Sequence, residues 1–210
     1  MHDFFCITVS PLQENCFVLY CNETKEAALI DAGDEPKQIL AAVRAQGLVP
    51  KLLLATHAHV DHISAVAAIQ AELELPFLVH ERELPILGML TASQSFYGFG
   101  DQKTPKISGY LKAGEEVALG KLKIQVIETP GHTPGGVCLK VGNDLFTGDT
   151  LFAYSIGRTD LPGGNTSQLM ESIKTQLLVL DSQTQVHPGH GPSSSIGAEI
   201  KRNPFLQGLA

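Results

Sequence analysis

The chain has 210 residues, 43% hydrophobic and 18% charged, with a formal net charge of −7. Such a length and balance suit a single globular domain over 1–210 with a sizeable core, and exclude a disordered chain. The acidic surplus argues against a nucleic-acid surface, which needs a basic patch.

The opening segment MHDFFCITVSPLQENCFVLYC carries no Lys/Arg run, and Pro11, Gln13, Glu14 and Asn15 interrupt its apolar stretches. It reads as neither a signal peptide nor a membrane span, so the expected location is cytoplasmic. FFCITV, NCFVLYC and AALIDAG are short runs rich in β-branched and aromatic residues and predict three strands. Asp34-Glu35-Pro36 predicts a helix start, with Ile39, Leu40 and Val43 on one face and Gly47 as its stop. LLLAT (52–56) is a continuous apolar run of the kind buried on both faces of a sheet. A helix is expected from Asp61 through 65–73, then a strand in PFLVH. The stretch 91–110 is rich in Gly, Ser, Gln and Pro without a period, and reads as a long loop or broken helix, a form common in functional lids.

The pattern then restarts. VALGKLKIQVIET (117–129) predicts a hairpin turning at Gly120, and VCLKVGNDLFTGD another around Gly142-Asn143. Thr166 is the expected N-cap of a helix through Leu178. TQVHPG reads as a last strand, and the tail from Ser195 as one more short helix. Strands flank helices in each half, which points to an α/β sandwich of two packed sheets with helices outside. Cys6, Cys16, Cys21 and Cys138 include no C-x-x-C pair and read as reduced thiols.

The chemistry is concentrated in Thr56-His57-Ala58-His59-Val60-Asp61-His62, between a buried strand and a helix. His57 and His59, two apart on extended backbone, can face one point. Asp61 and His62 can face a second. Imidazole with carboxylate suits Zn²⁺, Fe or Mn rather than Ca²⁺ or Mg²⁺. Three later loops, each after a strand, offer partners: PGHTPG with His132, TGDT with Asp149, and HPGHG with His187 and His190. His80, at a strand end, reads as structural or solvated.

THAHVDH, PGHTPG, TGDT and PGHG, in this order, resemble the metallo-β-lactamase-fold hydrolases, and the resemblance spans roughly 7–204. It implies a four-layer αββα sandwich and two divalent metal ions, expected to be Zn with Fe or Mn as alternatives. It places His57, His59 and His132 on one ion, Asp61, His62 and His190 on the other, and Asp149 between them. Asp61 is then also a catalytic residue that orients the nucleophile. Asp31, in LIDAG, is either the hydrogen-bond partner of a metal-bound imidazole or a turn residue before Gly33.

GDTLFAYSIGRTDLPGG further resembles the glyoxalase II-like hydroxyacylglutathione hydrolases, in a short form lacking their C-terminal helical domain. That likeness implies a substrate-binding role for Arg158. Asp160 stands where an aromatic residue is usual, and the alternative for Arg158 is a structural salt bridge with Asp160 or another acid. The expected function is a metal-dependent thioester hydrolase acting on S-D-lactoylglutathione or a related hydroxyacyl thioester, with hydroxide between the metals as nucleophile. The alternative is a persulfide dioxygenase of the same fold with one iron on His57, His132 and Asp149. The expected partner is a small-molecule thioester, glutathione-linked or not, with no nucleic acid and no membrane; the chain is expected to be a monomer or homodimer. β-Lactam hydrolysis is disfavoured by the absence of an export signal.

Overall fold

The computed structural model describes residues 1–99 and 103–208. The first half runs β1 (His2–Val9), β2 (Glu14–Cys21), β3 (Glu26–Ile30), α1 (Pro36–Ala45), β4 (Val49–Leu54), α2 (Val60–Ile63), α3 (Val66–Leu73), β5 (Phe77–His80), α4 (Leu84–Leu87), α5 (Leu90–Tyr97) and β6 (Gly109–Leu111). The second half runs β7 (Glu116–Leu119), β8 (Leu122–Glu128), β9 (Val137–Val141), β10 (Asp144–Gly148), β11 (Leu151–Phe152), β12 (Ser155–Ile156), α6 (Thr166–Ser172), β13 (Gln185–Pro188), β14 (Ser194–Ser195) and α7 (Ile196–Arg202). Strands β1 to β6 form one sheet in sequence order, and the second sheet is ordered β14-β13-β10-β9-β8-β7.

Period-two alternation assigns each strand residue to one of two interiors. Along β2, Phe17, Leu19 and Cys21 enter the layer between the sheets, while Cys16 and Val18 face the helices. In β3, Ala28 and Ile30 go inward and Ala27 and Leu29 outward. Ile39, Leu40 and Val43 of α1 and Ile69 of α3 cover the first sheet. Leu169 and Ile173 near α6 and Ile196 of α7 cover the second through Cys138, Leu145 and Val186. The result is the four-layer αββα sandwich, and burial on both faces explains why so many strands are continuously apolar.

Three local expectations are corrected. The helix expected from Asp61 is two helices, and the first begins at Val60. The chain breaks at 64–65, where the Ser64 hydroxyl donates to the Val60 carbonyl (2.6 Å) and the Ala65 amide donates to the Ala32 carbonyl (3.1 Å). The stretch 91–110 is not all loop: Leu90–Tyr97 is helical, with Gly98 in the left-handed conformation (φ 77°) ending it. Residues 103–108 belong to no helix or strand, and 100–102 lie outside the described residues. Finally, Asn165, not Thr166, caps α6 by accepting from the Gln168 amide (3.0 Å), and the helix passes into a π turn at Ile173–Leu177.

Cys6, Cys16, Cys21 and Cys138 are free thiols, and all but Cys6 are buried. Among the described residues, no helix is long and apolar enough to cross a membrane. The two sheets are joined at one edge by a polar clasp: Asp144 receives His2 Nε2 on one oxygen and His187 Nε2 on the other, both at 2.8 Å. His187 packs at the same time on Phe4, with ring centroids 4.6 Å apart. Asp144→Ala strands two largely buried imidazoles, so it should lower stability by about 2 kcal/mol. Urea unfolding checks this, and an unchanged midpoint would contradict it.

Candidate metal centre

The edges of both sheets deliver their loops to one place. β4 ends at Leu54, and the following loop carries His57 and His59 into α2, which presents Asp61 and His62. β8 leads to His132, β10 to Asp149 and β13 to His190. All seven sequence-singled ligand candidates therefore meet. Ligand atoms of His57, His59 and His132 lie within 4.8 Å of one another, as do those of Asp61, His62 and His190, and those of His57, His62 and Asp149. Asp149 stands between the two imidazole groups. Its Oδ2 is 3.6 Å from His132 Nε2, while its Oδ1 is 3.4 Å from His62 Nε2 and 3.8 Å from His190 Nε2. Asp61 Oδ2 lies 3.2 Å from His190 Nε2.

The far sides of the rings are fixed by hydrogen bonds that leave one nitrogen facing inward. His57 Nδ1 is 3.1 Å from the Thr56 hydroxyl, which donates to Asp31 Oδ2 (2.7 Å). His62 Nδ1 is 3.1 Å from the same Asp31 oxygen. His132 Nδ1 meets the Arg158 carbonyl (2.7 Å), and His190 Nδ1 the Leu12 carbonyl (3.1 Å). With Nδ1 donating, each of these rings would turn an Nε2 lone pair toward the centre. His59 presents Nδ1 instead, 2.9 Å from His132 Nε2.

At His57, His59 and Asp149 the charge states suit a cation, while at His62 and His190 burial is outweighed by the surrounding carboxylates, which raise those two imidazoles. Burial, and then the neighbouring imidazoles, push His57 well below the ordinary histidine range, and burial with His132 takes His59 down to about 4. Both are therefore neutral at pH 7. Burial alone would push Asp149 up, but His62, His132 and His190 outweigh it and hold its carboxyl well below the usual range. The buried atoms His57 Nε2, His62 Nε2 and Asp149 Oδ1 have no hydrogen-bond partner among the described residues. Orphaned polar atoms that converge from different loops fit metal ligation and are costly otherwise. Gly189 allows the approach, since a Cβ there would lie 2.6 Å from both Asp149 Oδ1 and His62 Cε1.

The remaining candidates separate clearly. Asp31 is buried and accepts from the Thr56 amide (2.7 Å) as well as from the groups above, and it adopts a left-handed φ of 55°. Arg158 lines the cavity above the centre and is at the same time ion-paired with Asp160. His187 lies in the Asp144 clasp and does not join the centre, and His80 is buried against Glu128 (3.1 Å). Sequence reasoning missed three residues. Glu83, fully buried, accepts from the Ala58 amide (2.8 Å) and the Gly135 amide (2.7 Å), tying the His57–His59 loop to the His132 loop. Asn15 donates to the Pro188 and Gly191 carbonyls on either side of His190 (3.1 and 2.9 Å). Glu14 is buried beside His62 (3.9 Å). The one available signal was the polar pair Glu14-Asn15 opening an otherwise apolar strand. Glu83→Ala should weaken metal binding by about tenfold or more, because the two histidine loops lose their common anchor. Calorimetric metal titration checks this, and wild-type affinity would contradict it.

The protein's residues 9–190 match the family model described as the metallo-beta-lactamase superfamily. An uncharacterised protein of Mycobacterium leprae is 37% identical over 213 residues, covering 94% of this chain and 95% of its own. Hydroxyacylglutathione hydrolase GloC of Haemophilus influenzae is 33% identical over 209 residues, covering 95% and 96%. Among solved structures, the BLEG-1 B3 metallo-beta-lactamase superposes with a TM-score of 0.91 at 37% identity, covering 98% of this chain and all 100% of that one. TTHA1623 in a di-iron-bound form gives 0.86 at 39%, covering 96% and 100%. ETHE1 from Myxococcus xanthus gives 0.81 at 28%, covering 98% and 85%.

Proposed function

The chain belongs to the metallo-beta-lactamase superfamily, and we propose that within it the protein is a two-metal thioester hydrolase acting on S-D-lactoylglutathione or a related hydroxyacyl thioester. The observation that carries this reading is Asp149, whose two oxygens face two separate imidazole groups. His57, His59 and His132 would hold one divalent ion, Asp61, His62 and His190 the other, and Asp149 both. Zinc is the expected metal; a relative of known structure is di-iron-bound, so iron is the main alternative. Metal bound there supplies Lewis acidity and brings the pKa of water down to roughly 7.

The chain's own residues supply position. His59, Asp61, His132, Asp149 and His190 line a cavity of about 380 Å³. Asp61 would also orient the attacking nucleophile through a hydrogen bond. A thiolate leaves readily, with a thiol pKa of about 8.5, so this chemistry needs no strong acid in the cavity. The likeness to GloC supports this substrate class. The test is to follow thioester loss on incubating purified, metal-loaded protein with S-D-lactoylglutathione, beside a β-lactam. No metal-dependent loss, or faster β-lactam opening, would remove the reading.

One geometric feature favours a second reading, a mononuclear-iron persulfide dioxygenase. His57, His132 and Asp149 form a two-histidine, one-carboxylate set, with His57 and His132 ring centroids 4.8 Å apart and Asp149 3.6 Å from His132. One iron per chain together with oxygen uptake on glutathione persulfide would select it.

A further inference from the structure

The cavity is lined by apolar residues as well as by the histidines and carboxylates. Leu12, Ile86, Met89, Leu90, Tyr97 and Leu161 contribute to its walls. These side chains come from the β1–β2 turn, from α4 and α5, and from the segment after β12. Among the described residues that line it, Arg158 is the one lysine or arginine. Its guanidinium is already engaged: Nε donates to Asp160 Oδ1 and an Nη to Asp160 Oδ2, both at 2.7 Å. The fork-to-fork geometry is the one in which a guanidinium would otherwise receive a ligand carboxylate. The Arg158 carbonyl meanwhile holds His132, so the main chain at this position serves the metal centre while the side chain faces the cavity.

Resting on the thioester reading above, we infer that this pocket selects thioesters whose thiol arm is uncharged and apolar, and that Asp160 is the positioning residue that enforces the choice by occupying Arg158. An arm with two carboxylates, as in glutathione, must shed water against apolar walls and, among the described residues lining the cavity, meets no lysine or arginine that is not already paired. An apolar arm instead exchanges water for Leu, Ile and Met surface. The Arg158–Asp160 pair is solvent-exposed on both sides (58% and 67%), and such a pair is weak enough to be opened by a modest change. Asp160 therefore acts as a removable competitor.

The experiment keeps the acyl group constant and changes the thiol. kcat and KM are measured for S-D-lactoylglutathione and for the S-D-lactoyl ester of benzyl mercaptan, with wild type, Asp160→Asn, Asp160→Glu and Arg158→Ala. Wild type should favour the benzyl ester by about tenfold or more in kcat/KM. Asp160→Asn should improve the glutathione ester by about threefold through KM, leaving its kcat in place, because the freed guanidinium takes a carboxylate. Asp160→Glu should restore the wild-type ratio, and Arg158→Ala added to Asp160→Asn should erase the gain. Equal use of the two esters, or preference for glutathione, overturns the inference and leaves the thioesterase reading standing. Cleavage of neither ester overturns both. A gain in Asp160→Asn that appears in kcat for both esters alike overturns the role of Asp160.

Discussion

Asp149→Ala should lower thioester hydrolysis by about a thousandfold or more, the scale of several kcal/mol of Lewis-acid stabilisation. Among the described residues, Asp149 is the one carboxylate whose oxygens address both imidazole groups, at 3.6 Å on one side and 3.4 Å on the other. Its loss would remove the negative charge that offsets the two cations of the proposed centre and leave His57 Nε2 and His62 Nε2, both buried and without a hydrogen-bond partner among the described residues, without a shared counter-ligand. Metal content should fall together with activity, which separates this outcome from loss of an orienting group alone. Elemental analysis and kcat/KM on one preparation check it. Activity within tenfold of wild type would contradict the assignment.

Asp31→Ala should be the most damaging substitution that touches no ion. Asp31 accepts from the Thr56 amide, the Thr56 hydroxyl and His62 Nδ1, at 2.7, 2.7 and 3.1 Å, and is buried. Through Thr56 it also governs His57, so one carboxylate sets two rings that the proposed centre assigns to different ions. Its removal leaves buried donors unpaired, at about 1–3 kcal/mol each. Alanine also tolerates the left-handed backbone (φ 55°) less well than aspartate does. We expect a stability loss of about 4 kcal/mol and metal affinity down by about 10–100-fold. Asp31→Asn keeps an acceptor and the backbone preference, so it should lose less of both. Denaturant unfolding of metal-loaded and metal-stripped protein checks this. An alanine variant as stable as wild type would contradict it.

How much of this was legible in the sequence follows from which forces are local. Strands such as NCFVLYC and LLLAT declare themselves, since burial on both faces demands apolar residues at every position. The ligand-rich THAHVDH loop was legible because no structural need explains three imidazoles and a carboxylate between a strand and a helix. The helix at Leu90–Tyr97 was hidden because Gln94 occupies a buried position on its face, in a segment otherwise rich in Thr and Ser. The cap was misplaced by one residue because Asn165 and Thr166 are both competent caps. What decides is the extended backbone at Asn165, whose amide donates to the Gly131 carbonyl (2.7 Å). Glu83 was illegible for a similar reason: it sits in a charged-looking ERE run, and only tertiary packing brings the Ala58 and Gly135 amides to it. Arg158 and Asp160 were legible as a pair, but the apolar cavity walls that give the pair its meaning come from three separate segments.

Metal-stripped protein titrated with zinc while S-D-lactoylglutathione cleavage is followed tests the two-metal hydrolase most directly. Hydrolysis should be absent at the start and should rise until two equivalents per chain are bound. Full activity at one equivalent, or hydrolysis without metal, would contradict it.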